Sequence, residues 1–437
     1  MKINEERLVE SPEARFERYL ASFSDVLGHA DRMEPFHDYC TGLVLPGDRK
    51  SVEPLAAMLA PERIGAKHQS LLHFVGKARW SDLGLLRVAR RYAMPLFENE
   101  PYCLIVDDTG NPKKGKLSVG VARQYCGVLG KQENCQVAVT LSIANESASL
   151  PIAHRLYLPD VWANDLERRK VAGVPEDVTF QTKPEIALDQ IAFALKEGLT
   201  PEVVLADAGY GQLTEFRERL TEWGLPYAVG VQSTTSVWLA GTEPPPAPPY
   251  SGKGRPRKLL QVEGNDKRIK VKDLALSLPA DAYRTVGWRE GTNGPMTGRY
   301  AALRVRAAHR DEWRSELRPE EWLLVEWPEG EKEPVHYTLS TLPPSWPLER
   351  LVGALRKRWR IERDYQELKD ELGLDHYEGR GWRGFHHHAS LSIATYAFLM
   401  VERGLFPPSA DHGRPRLAAP ERAPGFRPRG ATATGKA

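Results

Sequence analysis

Cysteine is scarce in this chain of 437 residues: Cys40, Cys103, Cys126 and Cys135 are all there are. None forms a C-x-x-C pair and no histidine stands at zinc-finger spacing, which excludes a disulfide scaffold and a zinc ribbon. They read as reduced thiols of a cytosolic protein. Long apolar runs are also lacking, and nothing approaches the roughly 18 apolar residues of a membrane span. The opening Met-Lys-Ile-Asn-Glu-Glu-Arg carries acids and no apolar stretch, so it does not read as a signal peptide. Nor is there an excess of one charge. Sixty Lys and Arg stand against 58 Asp and Glu, a net +2, so no global basic field announces a nucleic-acid partner. What is present is ordinary for a globular protein, with 41% hydrophobic and 27% charged residues. The length allows a large core and two or three domains.

The pattern changes along the chain. Residues 1–95 show apolar positions at helical intervals, as in Phe16-Glu-Arg-Tyr-Leu-Ala-Ser-Phe and Leu83-Gly-Leu-Leu-Arg-Val-Ala. From about 102, short β-branched runs take over at 102–106, 119–126 and 136–144. Helices fit 183–197 and 213–223, with strands at 203–207 and 227–231. Strands alternating with helices argue for an α/β layer with a partly parallel sheet over 96–235. The run Glu243-Pro-Pro-Pro-Ala-Pro-Pro cannot be regular structure. It opens a segment at 236–342 that is rich in strand signals, a β-rich insertion in the α/β domain. Over 343–403 the spacing predicts two helices. The first is long, ends at Gly373, and carries a core stripe of Ile361, Tyr365, Leu368 and Leu372. The tail, 404–437, has six prolines and six Lys or Arg against two acids, the composition of a disordered basic segment.

Three carboxylates stand out. Leu104-Ile-Val-Asp107-Asp108-Thr109-Gly110 and Val203-Val-Leu-Ala-Asp207-Ala-Gly209-Tyr210-Gly211 each push an aspartate out of an apolar strand. Arg358-Trp-Arg-Ile-Glu362, followed by Lys369, puts two cations and a carboxylate at helical spacings of four and seven. Strand ends plus one helix face can bring three carboxylates together from distant points in a chain. Such a set suits two Mg²⁺ ions about 4 Å apart, which serve phosphoryl transfer. Each residue also has a plainer reading. A strand-ending aspartate is often a turn residue, and Glu362 alone would be a solvated helix charge. Alternation puts Asp107 and Asp108 on opposite faces of their strand, leaving open which is the first acid. The coincidence of all three carboxylates, in order, favours the site.

These motifs resemble those of bacterial insertion-sequence transposases of the DDE type, in the branch with a Y-x2-R-x3-E-x6-K signature. Arg358, Glu362 and Lys369 match its last three positions, while the tyrosine position falls on Leu355. Asp207-Ala-Gly209-Tyr210 fits the D-x-G-Y/F motif, and Asp107-Asp108-Thr109 fits D-x-T with Asp107 as the acid. Gln124-Tyr-Cys-Gly127 and His376-Tyr-Glu-Gly-Arg380 are similar to phrases of the same group. The resemblance spans about 100–400. It implies an α/β fold with an RNase H-like mixed sheet, interrupted by the β-rich insertion and preceded by a helical N-terminal DNA-binding domain at 1–95. It implies catalytic and metal-holding roles for Asp107, Asp207 and Glu362 with Mg²⁺, or Mn²⁺, as cofactor. It further implies double-stranded DNA as partner, Arg358 and Lys369 as DNA contacts, and a homo-oligomer that synapses two ends. A nuclease of the same fold without strand transfer, and a silent DNA-binding derivative, are the rival classes.

Four further features invite weighing. Gly252-Lys253-Gly-Arg255-Pro-Arg257-Lys258 resembles an AT-hook core, which makes Lys253, Arg255, Arg257 and Lys258 candidate DNA contacts; a solvated loop has the same composition. His386-His387-His388 cannot chelate one ion from a helix, because successive residues point about 100° apart. Trp359, Trp382 and Phe385 read as packing residues. Lys113, Lys114 and Lys116 suit either phosphate or a solvated turn.

Overall fold

The computed structural model describes residues 10–241, 252, 268–291, 294–308 and 318–407. Helices α1 (Pro12–Ala21), α2 (Ser24–Leu27), α3 (Met33–Val44), α4 (Val52–Leu59), α5 (Ile64–Gly76) and α6 (Asp82–Ala93) come first. Strands β1 (Cys103–Pro112), β2 (Ala122–Cys126), β3 (Lys131–Ala144) and β4 (Ser149–Leu156) follow. Next are α7 (Asp160–Ala163), α8 (Leu166–Ala172), α9 (Lys183–Lys196), β5 (Val203–Ala206), α10 (Ala208–Gly211), α11 (Thr214–Glu222) and β6 (Tyr227–Val231). The chain continues through β7 (Ser236–Leu239), β8 (Ile269–Lys270), α12 (Val271–Ser277), β9 (Arg284–Gly291), β10 (Gly294–Ala307), β11 (Glu321–Glu326) and β12 (His336–Ser340). It ends in α13 (Leu348–Arg356), α14 (Arg360–Asp370) and α15 (Trp382–Leu405).

β1 is the central strand of the α/β part. It pairs antiparallel with β3 from Cys103↔Ala144 to Pro112↔Cys135, and parallel with β5 from Cys103↔Val203 to Val106↔Ala206. β4 lies antiparallel on the far edge of β3, and β6 parallel beside β5. The order β4-β3-β1-β5-β6, with antiparallel strands on one side of β1 and parallel ones on the other, is that of the RNase H-like fold. Among the described residues the strands of the insertion do not build a second sheet. β12 pairs with β6, then β11 and β10 follow, so one mixed sheet runs through twelve strands.

Side chains of β1 alternate between two cores. Leu104 and Val106 join a large cluster that continues into the N-terminal helices and α15. Cys103 and Ile105 face the other way, onto Leu348, Leu351, Val352 and Ile361 of α13 and α14. α15 is buried on nearly every side, as expected of a helix with no polar face. It receives the Tyr19 hydroxyl at the Ala394 carbonyl, 2.7 Å away, and an Arg15–Glu402 ion pair. No helix among the described residues is long and apolar enough to cross a membrane.

The segment 347–372 departs from the sequence expectation of one long helix. A 3₁₀ turn at Lys357–Trp359 separates α13 from α14. The predicted core stripe is nevertheless inside, divided between the two cores: Ile361 is buried with Tyr365 packed against its cluster, and Leu368 and Leu372 are buried in the larger one. Gly373 closes the end at φ +63°, its N–H reaching the Lys369 carbonyl at 3.1 Å. A Cβ there would sit 2.5 Å from Cβ of Lys50, so the position needs glycine for both reasons.

Candidate active site

Because Val106 and Ala206 are partners in the parallel β1–β5 pair, Asp107 and Asp207 follow them side by side; β5 ends there, whereas β1, expected to stop at 106, runs on to Pro112 because β3 continues to pair with it. Asp107 is partly buried, its side chain 17% exposed, and its carboxylate accepts the Asp108 N–H at 2.8 Å. Asp207 caps α10, accepting the Gly209 N–H at 2.9 Å. The glycines beyond it are there for close approach. A Cβ on Gly211 would lie 2.2 Å from the Gly230 carbonyl, and one on Gly230 would lie 2.7 Å from the Ala208 nitrogen. Without those side chains α10 presses directly onto β6, which fixes the turn that carries Asp207.

Both aspartates hold their protons more tightly than usual. Burial pushes Asp107 up to about 7; Arg358 offsets part of this, and the Asp207 and Asp108 charges add to it. Asp207 is raised as well, again chiefly by burial, with Arg358 opposing and Asp108 reinforcing. Arg358 enters from the 3₁₀ turn, 3.5 Å from the Asp107 carboxylate and 3.2 Å from that of Glu362. Glu362 lies in the first turn of α14 with its side chain 65% exposed. Asp207, Arg358 and Glu362 line a cleft of about 810 Å³, together with Gln232, His336 and Leu355. Among the described residues no three acidic, histidine or cysteine side chains stand close enough to hold a metal ion. Glu362 is turned to Arg358 in this geometry.

A family model described as "DDE superfamily endonuclease" matches residues 22–295, more than half of the sequence. The chain belongs to that family. The match takes in Asp107 and Asp207, and ends before α14. A curated relative, "Probable transposase for insertion sequence element IS701" of Microchaete diplosiphon, is 30% identical over 230 residues, 52% of this chain and 56% of the relative. The chain thus aligns with a little over half the length of that relative. The crystal structure of the NurA nuclease from Sulfolobus solfataricus covers 59% of this chain and 74% of its own at 9% identity and TM-score 0.25, too loose a superposition to bear on function.

Around the two aspartates, the other predicted residues fall into three groups. Lys369 is not at the carboxylates. It is half-buried, donates to the Gly110 carbonyl of β1 at 3.0 Å, and burial lowers its pKa. Asp108 faces the opposite side of β1 from Asp107. There Lys183 of α9 pairs with it at 2.9 Å, and the Tyr210 hydroxyl lies 3.5 Å away. Lys253, Arg255, Arg257 and Lys258 lie outside the described residues, as do 408–437 of the basic tail.

Three packing expectations meet the structure directly. His386 bonds the Leu156 N–H and the Trp382 carbonyl, and His388 bonds Tyr39 and the Gly373 carbonyl. His387 lies between the Val75 and Trp80 carbonyls, so each ring is spent on holding elements together. Phe385 is buried and Trp382 packs on His386, whereas Trp359 lines the cleft.

Sequence reasoning missed several participants. Thr140, opposite Asp107 in the sheet, bonds the Tyr365 hydroxyl and so ties α14 to the strand beside the acid. Arg356 binds Tyr300 and Glu326, which anchors the insertion to α13 at the cleft wall. Lys183 sits 75 positions from Asp108. No local spacing signals any of these pairs; a lysine opening a Thr-capped helix is the weak hint available for Lys183.

Proposed function

We propose that the chain is a DNA transposase that binds the ends of an insertion element and cleaves and joins DNA by two-metal phosphoryl transfer. The observation that carries this reading is the pair Asp107 and Asp207 side by side on the adjacent β1 and β5, where β5 ends, partly buried and incompletely neutralised by Arg358. Buried carboxylates of raised pKa gain by meeting a cation. Their hard oxygens suit Mg²⁺ or Mn²⁺. Asp107 and Asp207 would hold the ions, with Glu362 as third carboxylate once released from Arg358. A bound pair supplies Lewis acidity at the scissile phosphate and a more acidic nucleophile.

The residues of the chain do the rest. Asp107, whose proton burial holds more tightly than usual, must give it up to serve, and a bound cation would favour that ionised form. Arg358, freed from the two carboxylates, would take a non-bridging phosphate oxygen, and Lys369 would contact the backbone further along β1. In the first step a water oxygen bonds to phosphorus as the bond to the bridging 3′-oxygen breaks, leaving a DNA 3′-hydroxyl. In the second that hydroxyl attacks a target phosphate, displacing a new 3′-oxygen. Two ends act together, so the active form is a homo-oligomer on double-stranded DNA.

The test is a joining assay. A duplex carrying the element's terminal repeat with a free 3′-hydroxyl is incubated with supercoiled plasmid, Mg²⁺ and protein. Joined product supports transposition. Nicked plasmid without joined product would reduce the reading to a nuclease of the same fold.

A further inference from the structure

Beyond Asp107, β1 runs on to Pro112 and delivers the chain into a loop at 113–120. That loop is fastened to three neighbours through backbone atoms. The Val119 N–H bonds the Arg380 carbonyl at 3.0 Å, Lys113 bonds the Tyr377 carbonyl at 2.7 Å, and Arg168 of α8 bonds the Lys116 carbonyl at 3.2 Å. Arg383 in turn bonds the Lys77 carbonyl at the end of α5, at 3.0 Å. The result is one held surface built from four separate stretches of sequence.

Lys114, Lys116, Lys170, Arg380, Arg383 and Lys77 are exposed on it. None makes an ion pair with a carboxylate among the described residues. Some cations elsewhere are paired, Lys67 with Glu34 and Asp38, Arg87 and Arg90 with Glu197, Arg363 and Arg403 with Glu367, while others such as Arg63, Arg91, Arg123 and Lys196 are scattered singly without an ion pair among the described residues. The nearby acid Glu378 is taken by Arg49 at 2.8 Å and Asp165 lies 4.0 Å from Arg168, which leaves Glu167 of α8 as an exposed acid set among these cations without an ion pair among the described residues. A protein whose net charge is only +2 thus gathers unpaired cations on one rigid face.

We propose that this face, formed by the 113–120 loop, α8 and the 378–383 segment, holds the sugar-phosphate backbone of duplex DNA away from the cleavage point. The inference rests on the transposase reading for the position of the cut. Six strand residues from Asp107 to Lys113, at about 3.3 Å each, span roughly 20 Å. At about 3.4 Å per base pair this is roughly six base pairs from the phosphate that is cut. Leu117 and Val171 are also exposed there, 62% and 89%. A second copy of the chain docking by the same face would set cation against cation, whereas a polyanion meets them with complementary charge.

The test uses the full chain and two charge reversals, Lys114→Glu with Lys116→Glu, and Arg380→Glu with Arg383→Glu. Probes are a 24-base-pair and an 8-base-pair duplex, each centred on the cleavage point. Both variants should bind the longer duplex at least tenfold more weakly and with a flatter salt dependence, by about 0.9 in log–log slope per lost contact. Their binding to the shorter duplex should match wild type, which shows that folding and the catalytic cleft survive. Lys114→Arg with Lys116→Arg should bind the longer duplex as wild type does. Equal affinity and slope for the reversed variants on the longer duplex would overturn the proposal. So would normal DNA binding with altered sedimentation, which would make the face a protein interface. A wild-type protein that binds neither duplex would sink the transposase reading as well.

Discussion

Two clusters of buried titratable residues lie on the sheet and its covering helices, and they are treated in opposite ways. His386, His387 and His388 are each met by partners from different elements, and burial keeps them neutral against the opposing pull of the carbonyls they face; His387 and His388 are pushed down to about 4. Asp107 and Asp207 are also withdrawn from water, yet their charges are left incompletely matched, with Arg358 shared between Asp107 and Glu362. Satisfied buried groups hold a fold together, and under-compensated ones mark where a ligand is to come. The histidine triplet has the look of a metal motif and the geometry of a fastener. The aspartates have the look of turn residues and the electrostatics of a site.

Truncation should separate the two clusters most sharply. His387→Ala removes a ring stacked on Trp80 at 3.5 Å and takes its one N–H from whichever of the Val75 and Trp80 carbonyls accepts it. A loss on the order of 3 kcal/mol is expected, visible as a lower melting temperature with or without Mg²⁺. A stability that depends on added metal would break the comparison, because the histidines would then be ligands.

Asp107→Asn should act in the other direction and more weakly. The folded-state pKa of about 7 is above the unfolded value, so the native state binds the proton more tightly. Stability is therefore lost as pH rises from the unfolded pKa towards 7 and stays lost above it. Without metal, the variant should be more stable than wild type at pH 8 by on the order of 2 kcal/mol, a gain that shrinks towards pH 5. Mg²⁺ should stabilise wild type at pH 8 and leave the variant unchanged. Thermal melts at the two pH values read both effects; a variant destabilised at pH 8 would mean that Asp107 is held by its ion pair as a structural charge.

What was legible in the sequence was what is local. β1 and β5 each announce themselves as an apolar run ending in an aspartate, and Asp207-Ala-Gly-Tyr-Gly spells out a tight turn whose Gly211 is needed against β6. The stripe of Ile361, Leu368 and Leu372 follows from helical periodicity. The break at Lys357–Trp359 was not legible, since no proline or glycine marks it and the apolar spacing runs through. The Lys183–Asp108 pair, the Thr140–Tyr365 bond and the joining of β12 to β6 are contacts between distant parts of the chain. Chain spacing carries no signal for such contacts; they exist because the sheet brings the partners together.

Glu362 is the residue on which the account turns, because it comes from α14, beyond the family match, and its carboxylate is engaged by Arg358. The decisive measurement is the rate of Mg²⁺-dependent cleavage of a terminal-repeat duplex by Glu362→Gln, with binding of the same duplex read in parallel. The account predicts cleavage reduced by about three orders of magnitude or more, on the scale of losing a metal-ion contribution of several kcal/mol. It predicts binding within a few-fold of wild type, since the phosphate contacts of lysine and arginine do not need the metal. Cleavage at the wild-type rate would contradict it and return Glu362 to the solvated face of α14.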